Sequence, residues 1–263
     1  MLAAARASHP PGIAARKGAG MVAIALALAV FGCGHSSHAT GPSTTTASLN
    51  FGANNPHTVT AFGDSITQGV LEERKIQAGL LTSNNYSNDL QAMLRASDPT
   101  WRVINRGVGG EQVEQGANRI GAVLAADHPG FVLIMEGTNN ASHCDEPAFI
   151  ASRLQAMVQR AKANSTIPLL GTIPPNFRRE TCAQDVILNT NVLLHSVASA
   201  EGIVLAEIFD GMNDPSLFGI APGHDVLHPN NNGYHVMANI WLTALEQAVG
   251  AATTVAQLHP KHR

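Results

Sequence analysis

Ser65, the pair Asp225 and His228, and two turns rich in glycine and asparagine are the residues of this 263-residue chain whose types could do covalent chemistry. Ser65 stands in Gly63-Asp-Ser-Ile-Thr67, and the pair in Pro222-Gly-His-Asp-Val-Leu-His-Pro-Asn230. A serine hydroxyl is a weak nucleophile until a base takes its proton, and histidine is the side chain whose ordinary pKa suits that task. An acid three residues before the histidine can share its turn and hold one ring nitrogen, which leaves the other for the serine. Charge developing on a carbonyl oxygen then needs donors set in place beforehand. Asn105-Arg-Gly-Val-Gly-Gly-Glu111 could supply a backbone N–H, and Glu136-Gly-Thr-Asn-Asn140 a side-chain amide.

Each piece has a plainer reading when taken alone. Gly-Asp-Ser is commonly a helix cap, and an asparagine after a strand is commonly a turn residue. The glycine turn could cradle a dinucleotide, but it lacks the full spacing and the ribose-binding acid that should follow. His224, Asp225, His228 and His235 could hold a metal. No cluster elsewhere supplies the remaining ligands, however, and His35 and His38 lie far away near the N-terminus. Neither metal nor cofactor is therefore expected. No Gly-x-Ser-x-Gly occurs, which argues against the strained nucleophile elbow of α/β-hydrolases.

The elements that must position these residues alternate along the chain. Short apolar strands are expected at 58–62, 101–105, 131–135, 167–173 and 203–208. Helices are expected at 86–96, 112–126, 147–163, 183–200 and 232–249. Strands separated by helices imply an α/β fold, a three-layer α/β/α sandwich around a mainly parallel five-stranded sheet. Ligands of such sheets bind outside the carboxyl ends of the strands, and all four motifs, the Asp225–His228 turn included, are expected just after strands. The segments 71–85 and 141–147 are expected to form loops over the cleft.

Ser, Gly, Asn and then Asp-x-x-His, in this order at strand ends, closely resemble the SGNH (GDSL-type) esterase and lipase family over residues 57–249. The supporting text includes His228-Pro-Asn-Asn-Asn-Gly-Tyr234. The resemblance implies the flavodoxin-like SGNH hydrolase fold, with Ser65 as nucleophile and Asp225 and His228 as its base. It implies an oxyanion hole from Ser65, Gly110 and Asn139, with Gly109 the lesser claimant for the glycine. It also implies hydrolysis of carboxylic esters, acyl or acetyl, with a lean toward thioesterase- and lysophospholipase-like members. One departure stands out: the family often has Asp after the third-block Asn, and this chain has Asn140. A module that keeps the fold to bind glycans or lipids without catalysis is the alternative, but such a module should have lost a key side chain.

Hydrophobic residues make up 44% of the chain, enough to bury a sizeable core. A formal charge of −3 offers no basic footprint for nucleic acid, so a small-molecule, glycan or lipid ester is the expected partner. Aromatic residues are only 5%, which argues against a broad stacking platform for polysaccharide. At the N-terminus Arg6, Arg16 and Lys17 precede an apolar run from Met21 to Phe31, too short to cross about 30 Å of hydrocarbon. This is the pattern of a signal peptide over 1–32. Its end, Val30-Phe-Gly-Cys33, resembles a lipobox with Cys33 as the lipidated residue. Residues 33–56, rich in Ser, Thr, Gly and Asn, read as a flexible linker, and 250–263 as a loose tail. Export to a bacterial cell envelope, or secretion, is expected. A lipid on Cys33 would be the sole membrane attachment. Of three cysteines that leaves Cys144 and Cys182, which an oxidising compartment would pair.

Overall fold

Nine residues of mixed polarity, Asn55–Gly63, form β1, and its last six are buried. The other strands are β2 (Arg102–Gly107), β3 (Pro129–Met135), β4 (Ile167–Gly171) and β5 (Val204–Ala206). They make one sheet in the order β2-β1-β3-β4-β5, and all pairings are parallel. The computed structural model describes residues 49–69, 85–178, 182–219 and 226–258, with side chains to Gly250. The expected signal peptide, Cys33, most of the linker, the bulk of segment 71–85, His224 and Asp225 lie outside the described residues.

The helices are α1 (Ser65–Gln68), α2 (Tyr86–Ser97), α3 (Val113–Asp127), α4 (Thr138–Ser142) and α5 (Pro147–Ala163). They continue with α6 (Ala183–Glu201), α7 (Ile208–Gly211) and α8 (Asn231–Leu258). Successive side chains of a strand point to opposite faces, and β3 sorts its apolar run between two cores on that basis. Phe131, Leu133 and Met135 join Leu90 of α2 and Met237 and Trp241 of α8. Val132 and Ile134 join Ile120 of α3, Leu154 of α5 and Leu194 of α6. A strand buried on both faces must be apolar throughout, which is why β3 shows no alternation in its sequence.

Three of the boundaries that differ from the sequence expectation have a clear local reason. The fourth strand ends at Gly171 rather than Ile173. There the Asn191 side chain takes over the ladder: its Oδ1 accepts from Ile173 N at 2.8 Å and its Nδ2 donates to Ile173 O at 3.0 Å. The fifth strand stops at Ala206 rather than Ile208. Phe209 N donates instead to Thr172 Oγ1 at 2.8 Å, and Ile208 opens α7. The last helix runs past Val249 to Leu258, where a loose tail was expected. Ala251, Ala252 and Ala256 favour helix, and no proline intervenes before Pro260.

Candidate active site

β1, β2 and β3 end on one line, with Gly63 opposite both Gly107 and Met135. The chain moves from β1 to β2 on one side and then to β3 on the other. The crevice at their carboxyl ends is therefore the switch point of the sheet. Ser65, Gly110 and Asn139 all lie a few residues beyond that line. The turn after β1 is tight: a Cβ on Gly63 would stand 2.2 Å from Met135 O, so glycine is required there. Asp64 caps α1, its Oδ1 accepting from Ile66 N at 2.9 Å. Ser65 is thus the first helical residue, whose main-chain N–H has no partner within the helix.

The His228 ring reaches it from the far end of the chain. Nε2 lies 2.9 Å from Ser65 Oγ, a contact that spans 163 positions. The segment carrying His228 is pinned on both sides. Gly219 N donates to His228 O at 3.0 Å, Phe218 and Pro229 form an antiparallel bridge, and Asn230 Nδ2 donates to Ser216 O at 2.8 Å. Asn230 also accepts from Gly233 N through Oδ1 and from Tyr234 N through its carbonyl, which starts α8. His-Pro-Asn is therefore a clamp that fixes the ring in the cleft.

After β2 the chain makes a turn in which Glu111 N donates to Val108 O at 3.2 Å. Gly110 has φ +76° in it, a conformation that disfavours any side chain, and a Cβ there would meet nothing within 4 Å. Gly109 has no such backbone, and its Cβ would stand 2.9 Å from Gln68 Oε1. The open, left-handed position is Gly110. Asn139 sits beside it, with Nδ2 donating to Glu111 O at 2.8 Å. That bond uses one amide hydrogen and fixes the orientation of the group, leaving the second hydrogen for another acceptor.

Asn140 is fully buried and answers the departure noted in the sequence. Its Oδ1 accepts from Val113 N at 2.9 Å, and its Nδ2 donates to Asp145 Oδ2 at 2.8 Å and Glu114 Oε2 at 3.2 Å. An aspartate could not donate to those two carboxylates, so the amide suits its neighbours here. Cys144 and Cys182 form a disulfide, Cα–Cα 5.6 Å, which ties the loop after α4 to the start of α6. His235, the outer member of the metal reading, faces Asp89 Oδ2 at 3.4 Å. Among the described residues no three His, Cys, Asp or Glu side chains gather as a metal-holding group.

Two supporting residues escaped the sequence reading. Asn105 donates to Thr67 O at 2.6 Å and Ser87 Oγ at 3.0 Å and accepts from Gly107 N, so it braces α1 against β2. Asp64 is buried, and that burial pushes its carboxyl up to about 6; Glu111's charge adds, while the Ile66 N–H and His228 pull the other way. The folded chain thus holds the Asp64 proton more tightly than the unfolded chain, whose value is near 3.8. This contribution to stability is complete below about pH 4 and is lost as pH rises through about 6. The difference corresponds to about 3 kcal/mol. Asp64→Asn keeps the capping oxygen and removes the charge. We expect parent and variant to melt alike near pH 4, with the variant increasingly the more stable toward pH 8. A variant less stable at pH 8 would mean that the folded chain favours the Asp64 carboxylate, contrary to its raised pKa.

The sequence pattern that defines the GDSL-like lipase/acylhydrolase family matches residues 61–236. The chain belongs to that family. It is 32% identical over 122 residues to Esterase TesA of Pseudomonas aeruginosa, a match covering 46% of this chain and 57% of that protein. The match thus spans little more than half the length of the curated relative. Many solved structures share the fold, two of them being representative. A lipase/acylhydrolase from Enterococcus faecalis superposes with TM-score 0.59 at 21% identity, covering 79% of this chain and all of that one. A catalytic mutant of an acetylxylan esterase from Geobacillus stearothermophilus does so with TM-score 0.58 at 19% identity, covering 73% and 95%.

Proposed function

We propose that this protein is a serine ester hydrolase that works through an acyl-enzyme on Ser65. The observation that carries the reading is the 2.9 Å contact between His228 Nε2 and Ser65 Oγ at the switch point. His228 takes the hydroxyl proton as Oγ bonds to the ester carbonyl carbon, and the carbonyl π pair moves onto oxygen. The Ser65 and Gly110 N–H groups and the Asn139 amide receive that charge. The bond to the leaving alcohol breaks as His228 returns the proton to it. Water then adds to the acyl-enzyme, His228 takes the water proton, and the acid departs as Ser65 regains its hydrogen. Asp225, three residues before His228, orients the ring. The reaction uses no metal or cofactor.

Short acyl and acetyl esters, with thioesters and lysophospholipids as the longer-chain class, are the substrates we assign. The esterase relative and the acetylxylan esterase neighbour support that range. Export is part of the same reading, supported by the positively flanked apolar run near the N-terminus and by a disulfide beside the cleft. The test is hydrolysis of p-nitrophenyl esters from acetyl to long acyl chains, with a fluorophosphonate probe and mass spectrometry of the adduct. We expect turnover and a single adduct on Ser65. The chain-length optimum separates acetyl removal from lipid chemistry. Folded protein that neither turns over any ester nor carries label on Ser65 would sink the assignment.

A further inference from the structure

Behind the oxyanion turn lies a buried charged group that the mechanism does not use. Glu136, at the end of β3, is 1% exposed, and Glu111 is 5% exposed. Arg119 of α3 grips Glu111 with both ends of its fork, Nε to Oε1 at 2.8 Å and Nη2 to Oε2. Its guanidinium carbon lies 4.0 Å from the centre of the Phe62 ring, a cation–π contact. Arg119 Nη2 is 4.0 Å from Glu136 Oε1, beyond hydrogen-bond range. Neither Glu136 oxygen meets an N–H or hydroxyl donor. Gly116 makes the space for this carboxyl: a Cβ there would stand 2.2 Å from Glu136 Oε2. Two buried carboxyl groups thus lie together beneath the partly exposed Arg119 guanidinium. A single proton shared between the acids makes the set neutral, the arrangement that burial favours.

We propose that Glu136 is a positioning residue for the oxyanion donor: it hydrogen-bonds the Glu111 side chain, and with Arg119 it sets the Glu111 main-chain oxygen that holds the Asn139 amide. The link is direct, because Asn139 Nδ2 donates to that oxygen at 2.8 Å and Glu111 immediately follows Gly110. Donor placement matters steeply, since a shift of about 1 Å can cost about 10²-fold in rate. Burial raises the Glu136 carboxyl well above the usual range. The hydrogen bond and charge of Glu111 and the charge of Asp64 add to this, and Arg119 opposes.

This inference rests on the ester-hydrolase reading, and its test separates the two. Kinetics on p-nitrophenyl esters would compare the full chain with Glu136→Gln, Glu136→Ala, Asn139→Ala and the double variant Glu136→Ala/Asn139→Ala. The glutamine amide still donates to Glu111, so Glu136→Gln should stay within about threefold of the parent. Glu136→Ala should lower kcat by about 10- to 10²-fold with little change in KM. In the Asn139→Ala background the same change should cost less than about threefold, because the group it acts through is gone. An undiminished cost in that background, or a glutamine variant as damaged as the alanine one, overturns the proposal. Should Glu136→Ala fail to fold, Arg119→Lys, which loses the fork, enters the same cycle under the same criteria. The Asn139 side-chain amide resonances supply a readout independent of the reaction. They should move in Glu136→Ala and not in Glu136→Gln, and unmoved resonances overturn the proposal. A parent without serine-dependent hydrolysis but with that NMR pattern would defeat the functional reading alone.

Discussion

Replacing Ser65 with alanine is expected to lower ester turnover by about 10⁵-fold or more while leaving the fold intact, because the proposed acyl-enzyme forms on its hydroxyl. Ser65 is half-buried, and among the described residues its hydroxyl bonds only to His228 Nε2, at 2.9 Å. The stability change should therefore stay within about 1.5 kcal/mol, the net worth of one such bond. His228→Ala should cost a similar factor, and the double variant little more, since the two groups act as a unit. Asp225→Asn should cost less than His228→Ala if the acid chiefly orients the ring. Steady-state kinetics and thermal melts of the purified variants check all four statements. Substantial turnover in Ser65→Ala would remove the nucleophile from the mechanism, and additive losses would remove the serine–histidine partnership.

Asn139 carries the second large effect. Removing one oxyanion donor typically costs about 10²–10³ in kcat, and KM should stay within about threefold because the donor binds charge that exists only at the transition state. The geometry sharpens this into a comparison of two variants. Asn139→Ala simply deletes the donor. Asn139→Asp keeps the shape, but a carboxylate cannot donate to Glu111 O and places negative charge where more is about to form. The aspartate should therefore be the worse enzyme of the two. An Asn139→Asp variant as active as the parent, or an alanine variant that changes KM alone, would contradict an oxyanion role.

Much of this arrangement was legible before any coordinates, and the limits of legibility have physical causes. Ser65, Gly110, Asn139 and His228 stand at ends of elements, where a break in periodicity marks a turn. The strand β3 reads directly over 131–135, where five apolar residues run in succession, whereas Pro129 and Gly130 carry no such signal. Cys144 and Cys182 follow from counting. What stayed hidden depends on distances between elements remote in sequence. Nothing in the periodicity of α3 says that Arg119 faces Glu111, or that Gly116 clears space for Glu136. The early ends of β4 and β5 depend on Asn191 and Thr172 substituting side-chain bonds for ladder bonds, a competition that local propensity does not encode. Asn140 could be judged only once Asp145 and Glu114 were seen around it.

The 163 positions between Ser65 and His228 also order events in time. At about 5–20 residues per second, a ribosome that has just made the serine needs about 8–30 s more to reach the histidine. Throughout that interval the growing chain carries a serine with no base to activate it. On the proposed mechanism, activity therefore waits until the segment carrying His228 has been made and has reached Ser65. A copy truncated anywhere before His228 would lack the base that the proposed mechanism requires.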